Sequence, residues 1–118
     1  MAVFEYENGI SFAKTSAVEI GGFERRQLVV SGTKKTVELK PLERIMDGGN
    51  IITERYVRES LVWRDKTDKE VSPPFNRYDD MMRSFAKMVV GEKKNPWSYD
   101  YELELYKIIR KACGTETV

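Results

Sequence analysis

Hydrophobic and polar positions change their period about two thirds of the way along the chain. After Phe75, apolar residues return at three-to-four spacing: Tyr78, Met81, Met82, Phe85, Met88 and Val89, then Tyr101, Leu105, Ile108, Ile109 and Ala112. Each set is one stripe of an amphipathic helix. Asn76 is placed to cap the first, Asp79 and Asp80 suit its positive end, and Gly91 supplies the left-handed stop. Ser98 or Asp100 caps the second, Arg110 and Lys111 suit its negative end, and Gly114 stops it. The stripes place Phe85 in a core, and Cys113 on the apolar side of the last turn.

The first forty residues alternate instead. Ala2 to Glu7 reads as a strand ending at Asn8-Gly9, a strong hairpin signal. Strands are expected over 10–20 and 23–31, separated by Gly21-Gly22. Gly32-Thr33-Lys34-Lys35 turns the chain into a short strand over 36–40, ended by Pro41. Asp47-Gly48-Gly49-Asn50 is a further turn. Residues 51–65 then fit one long strand, with Val57, Leu61 and Trp63 on one side and Tyr56, Arg58, Ser60 and Val62 on the other. The charged run 64–70 reads as an exposed loop or hairpin tip, and Ser72-Pro73-Pro74 delays helix until it is passed.

These elements predict an α+β domain in two layers. A mostly antiparallel, open-faced sheet of about five strands carries two C-terminal helices on one face. Several strands are apolar at both parities, as at Val3 and Phe4 or Leu28, Val29 and Val30. The other face therefore calls for a cover from another chain or domain, most simply a second copy on a two-fold axis. Phe12 is a candidate contact there, and a charge at Phe12 is expected to disturb assembly before folding.

Composition narrows the chemistry. A chain of 118 residues makes one domain, and 20 basic residues against 19 acidic ones leave a charge of +1. Nucleic-acid binding is not expected without a basic excess. No run approaches the length of a membrane span, and the opening residues lack the pattern of a signal peptide. One cysteine and no disulfide pair suggest a reducing compartment, with the cytoplasm as the default.

The chain has no histidine and one thiol, which removes histidine-based acid–base or nucleophilic sites and any zinc centre built from this chain alone. No Gly-x-Gly-x-x-Gly follows a strand, so a dinucleotide site is not expected, and Gly32-Thr33-Lys34-Lys35 reads as a hairpin turn rather than a phosphate loop. No catalytic, cofactor or metal residue is assigned. Tyr56, Arg58 and Trp63 could contact a polar ligand, although ordinary sheet-surface packing explains them as well. Trp97, Tyr99 and Tyr101 beside Lys93-Lys94 fit either an aromatic platform for bases or sugars or the packing of the inter-helix loop.

Three segments, in order, carry a family pattern. Phe4-Glu5-Tyr6-Glu7-Asn8-Gly9-Ile10-Ser11 resembles a hairpin of the form hydrophobic-x-Phe/Tyr-Glu-Asn-Gly-x. The stretch from Leu28 to Leu39 resembles a strand pair written V-x-G-T-K-G-x-x-E-L. Tyr78 through Gly91-Glu92, then Asn95-Pro96 and the helix with Ala112, resembles a closing F-x-x-x-V-x-G-E-x-x-P and final helix. Together they resemble the C-terminal domain of the Gfo/Idh/MocA-type NAD(P)-dependent oxidoreductases, which act mostly on sugars, inositols and related polyols. The resemblance implies an open-faced sheet that binds substrate and forms an oligomer interface, with NAD(P) held by a separate N-terminal Rossmann domain. The family's Glu-Lys-Pro motif and its helix with aspartate and histidine are absent from these residues, so no catalytic residue is carried over. The expectation is a truncated member, inactive alone, forming a homo-oligomer through its sheet or joining a separately encoded Rossmann chain. The alternative is an independent ligand- or protein-binding module that uses the exposed sheet face.

Overall fold

The computed structural model describes residues 1–61 and 63–115. It is α+β, with antiparallel strands and two C-terminal helices. The elements are β1 (Ala2–Tyr6), β2 (Gly9–Ala13), β3 (Leu28–Ser31), β4 (Lys35–Leu39), β5 (Arg44–Ile45), β6 (Ile51–Ile52), β7 (Glu54–Ser60), β8 (Asp65–Val71), α1 (Asp79–Val89) and α2 (Tyr99–Ala112). The main sheet has four strands in the order β3-β4-β7-β8, and β1-β2 and β5-β6 form separate pairs. By contacts the chain divides into two compact units, Val18–Arg83 and Met1–Ala17 with Ser84 onward.

In the first unit a small buried cluster sits beside the sheet. Ile51 and Ile52 are 7% and 9% exposed, and Pro41, whose carbonyl accepts from Glu54 N–H (3.3 Å), is buried as well. Ile51 exchanges two backbone hydrogen bonds of 2.9 Å with Phe75. Thr53 ties the neighbouring segments together: its N–H donates to Ser72 Oγ (2.9 Å), its Oγ1 donates to the Leu42 carbonyl (2.8 Å), and its carbonyl accepts from Ser72 N–H (2.9 Å). Backbone polar groups that would otherwise lose water on burial are thereby paired. Gly48 and Gly49, at φ 86° and 84°, make the turn between β5 and β6 that only glycine accepts at low cost.

In the second unit β1 and β2 pair around a two-residue turn, Glu7-Asn8, with Tyr6 opposite Gly9. The Asn-Gly signal marks the hairpin, but the turn falls one residue earlier than it suggests, and Gly9 opens β2. Both helices end as the sequence predicts. Glu92 N–H reaches the Lys87 carbonyl and Thr115 N–H the Arg110 carbonyl, around Gly91 and Gly114 at φ 80° and 69°. Ser98 rather than Asp100 caps α2, accepting from Tyr101 N–H at 3.2 Å.

Four expectations change. Residues 51–65 are not one strand: Thr53 interrupts them, β7 ends at Ser60, and Leu61 N–H bonds the Arg64 carbonyl (2.8 Å) ahead of β8. The charged run, expected as an exposed loop or hairpin tip, is from Asp65 onward the strand β8, held by cross-strand pairing along the whole of β7. The strands expected over 10–20 and 23–31 shorten to β2 and β3, because successive turns occupy Glu19 to Arg26. Finally, the helical stripes stay accessible: Phe85 is 60% exposed, Val89 69%, and Cys113 is exposed at the end of α2.

Ile52→Ala is therefore expected to cost about 3 kcal/mol of unfolding free energy, through lost burial and the cavity left behind. Phe85→Ala should change stability of the isolated chain by less than about 1 kcal/mol. Urea denaturation of both variants checks the pair, and the reverse ranking would move the core to α1.

Candidate functional site

The alternation of the main sheet separates its side chains into two chemically different faces. Register places Val29, Glu38, Tyr56 and Lys69 in one row, and Ser31, Thr36, Arg58 and Thr67 in the next. Glu54 and Val71 lie opposite each other on this same face. The other face carries Val30, Val37, Val57 and Asp68 in one row, and Leu28, Leu39, Arg55 and Glu70 in the next. One face is thus largely polar. The other has an apolar centre over β3, β4 and β7, with direct ion pairs Lys35–Glu59 (2.5 Å) and Arg55–Glu70 (2.8 Å).

Glu54 organises the polar face. It is 4% exposed, and its carboxylate accepts from Tyr56 Oη (2.6 Å), Lys69 Nζ (2.8 Å) and Arg44 Nη1. These donors come from β7, β8 and β5. A buried carboxylate is costly unless it is paired, and three donors provide that pairing. The Lys69 hydrogen bond, then that of Tyr56, with a further pull from the Arg44 charge, outweigh burial and hold Glu54 down to about 2. The same contact raises Lys69.

Beside it, Arg58 Nη1 donates to Glu38 across the strands, and the Arg58 guanidinium lies 5.5 Å from the centre of the Tyr56 ring. Lys69 Nζ lies 5.4 Å from the same ring. The aromatic face of Tyr56 is therefore shared by two cations while its hydroxyl is spent on Glu54. At the β3–β4 turn, Gly32 N–H bonds the Lys35 carbonyl (2.9 Å), confirming a hairpin turn. A shallow depression of about 280 Å³ there is lined by Thr33, Lys34, Thr36, Arg58, Ser60 and Asp65, among others. It holds hydroxyls and charges of both signs, which suits a polar ligand rather than an apolar one.

A second carboxylate, Glu43, joins separate segments of the same unit. Arg77 grips both its oxygens (Nε to Oε1 2.8 Å, with Nη2 on Oε2), and Arg26 shares Oε2 at 2.5 Å. The Arg77 hydrogen bond is the leading reason that Glu43 is held below the ordinary carboxylate value, with both guanidinium charges adding to it. Arg26 also lies over the Phe23 ring, 3.9 Å from its centre. The Glu43 cluster fixes where α1 departs and has the form of a structural clasp.

Of the residues singled out from the sequence, Tyr56 and Arg58 do share one face. Trp63 does not join them: it sits in the β7–β8 turn and is 94% exposed. The strand reading fails there because β7 ends at Ser60. Phe12 belongs to the other unit, where it opposes Val3 and is 72% exposed. Val62, expected on the Tyr56 side, lies outside the described residues. Trp97 stacks on Tyr101 at 4.7 Å, so it packs the start of α2, whereas Tyr99 is 90% exposed. Periodicity did not single out Glu54, Lys69 or Glu38. The alternation of Glu54, Tyr56 and Arg58 within one strand was the available signal.

Among the described residues no cluster of histidine, cysteine or carboxylate side chains has the form of a metal site, and no helix is long and apolar enough to cross a membrane. Compared with known proteins, the chain matches no family model, no curated protein and no solved structure.

Because the folded-state value of Glu54 lies below its unfolded value, its contribution is full above about pH 5 and is lost as pH falls toward about 2. Glu54→Gln should cost about 2 kcal/mol at pH 7 and flatten stability over that acid window. Urea midpoints measured from pH 7 to pH 3 test this; an unchanged acid slope in the variant would remove Glu54 as its source.

Proposed function

We propose that this chain is the substrate-side and oligomerisation domain of an NAD(P)-dependent oxidoreductase of the Gfo/Idh/MocA type, with a sugar or polyol as substrate. The observation that carries this reading is the two-faced sheet. Its polar face offers the Arg58 guanidinium, the Glu38 carboxylate and the hydroxyls of Thr36 and Thr67, groups that can donate to and accept from a polyhydroxylated ligand. Its apolar centre, Val30, Val37, Val57, Leu28 and Leu39, is suited to a second copy of the domain. The segments that carry the resemblance form a hairpin at Glu7-Asn8, the β3–β4 pair around Gly32, and α1 leading through Gly91 and Pro96 to α2, which supports the reading.

In this reading hydride chemistry belongs to a Rossmann domain that carries NAD(P), and the residues described here bind and orient substrate. Arg58 and Glu38 would set the orientation of ligand hydroxyls, and Tyr56 would supply a flat ring beside them. The chain would not turn over substrate alone. The single cysteine is in keeping with a reducing compartment such as the cytoplasm.

Ligand-observed NMR with myo-inositol and glucose, alongside an NADH fluorescence titration, tests the proposal. Weak polyol binding is expected, reduced about tenfold in Arg58→Ala, with NADH fluorescence unchanged. Light scattering should show an oligomer whose size Val57→Lys reduces without unfolding, through loss of sheet-face contacts. Tight NADH binding to the chain alone, or polyol binding indifferent to Arg58 together with an unaltered Val57→Lys oligomer, would overturn it.

A further inference from the structure

The two edges of the main sheet are built differently. β8 presents Asp65, Lys66, Asp68, Lys69 and Glu70 along one edge, a charged strand of the kind that discourages further pairing. β3, the opposite edge, reads Leu-Val-Val-Ser, with no charge, proline or bulge, and all four residues are exposed. Among the described residues β3 pairs with β4 alone.

The hydrogen-bond phase says which groups β3 offers. The Gly32–Lys35 bond closes the hairpin, so in an antiparallel ladder the bonded pairs are Val30–Val37 and Leu28–Leu39. The N–H and carbonyl of Val29 and of Ser31 therefore point outward from the sheet. Two such edges are self-complementary about a two-fold axis through Val30. Val29 of each copy would exchange both backbone bonds with Ser31 of the other, and the two Val30 side chains would meet as a non-bonded pair. That register also makes the apolar face continuous, with Leu28 and Val30 of both copies joining Val37 and Val57 across the axis.

We infer that β3 is a pairing edge whose partner is β3 of a second copy, making one eight-stranded antiparallel sheet from two chains. This rests on edge geometry and does not depend on the oxidoreductase reading. It also differs from stacking of sheet faces, which Val57→Lys probes.

A cysteine placed on the proposed axis gives the direct test. In a Cys113→Ser background, Val30→Cys should oxidise to a covalent dimer, because residues opposed in a non-bonded pair sit about 4.5 Å apart at Cα, within the span of a disulfide. Val57→Cys in the same background, on the same face but in an inner strand, should cross-link far more slowly. Val29→Pro removes an outward donor while leaving the β3–β4 bonds intact, and should weaken dimerisation about tenfold or more. Should that variant unfold, amide exchange on the native chain replaces it: protection of Val29 and Ser31 must rise with protein concentration. Equal cross-linking at both positions, or protection of those amides independent of concentration, would overturn the pairing. The second result would point to cover from within one chain.

Discussion

The buried carboxylate of Glu54 is the constraint on which the arrangement of the first unit turns. It lies where β5, β7 and β8 converge and is met by Arg44, Tyr56 and Lys69, one donor from each strand. Left alone, such a charge would oppose folding; with three donors it specifies which strands must meet and in what register. The residue before it, Thr53, fixes the backbone in the same place, binding the Leu42 and Ser72 segments. With an apolar core as small as Ile51, Ile52 and Pro41, such polar bonds carry an unusual share of the specification.

The polar face follows from that anchor. Once Glu54 is set, alternation places Tyr56 and Arg58 on the same side, and pairing brings Glu38 and Lys69 beside them. The opposite side collects the valines and leucines of β3, β4 and β7. A single strand register thus separates a largely polar face from one with an apolar centre.

Much of this was legible in the residues, and what was not has physical reasons. Helix boundaries were readable because Ser98, Gly91 and Gly114 signal them locally. The β3–β4 hairpin was readable from Gly32 and the alternation around it. The charged run 64–70 was not, because β8 is held by its neighbour: Lys69 and Glu70 find partners on β7, and the strand needs no apolar side of its own. Between β7 and β8 the sequence has no glycine, proline or asparagine, so nothing in the residues signals that the strand ends at Ser60, before Trp63. Half the site was visible, in Tyr56 and Arg58. Glu54 and Glu38 were not, since an acidic residue in a strand reads as solvated until pairing shows which cation faces it.

The unequal edges of the sheet have a consequence for how large an assembly can grow. Strand pairing propagates without limit when both edges are receptive, and the product is a fibre. Here the charges along β8 oppose addition at one side, so growth that begins at β3 has nowhere to continue. A sheet of this kind closes after one addition, and the row of lysines and acids at its far side acts as a terminator.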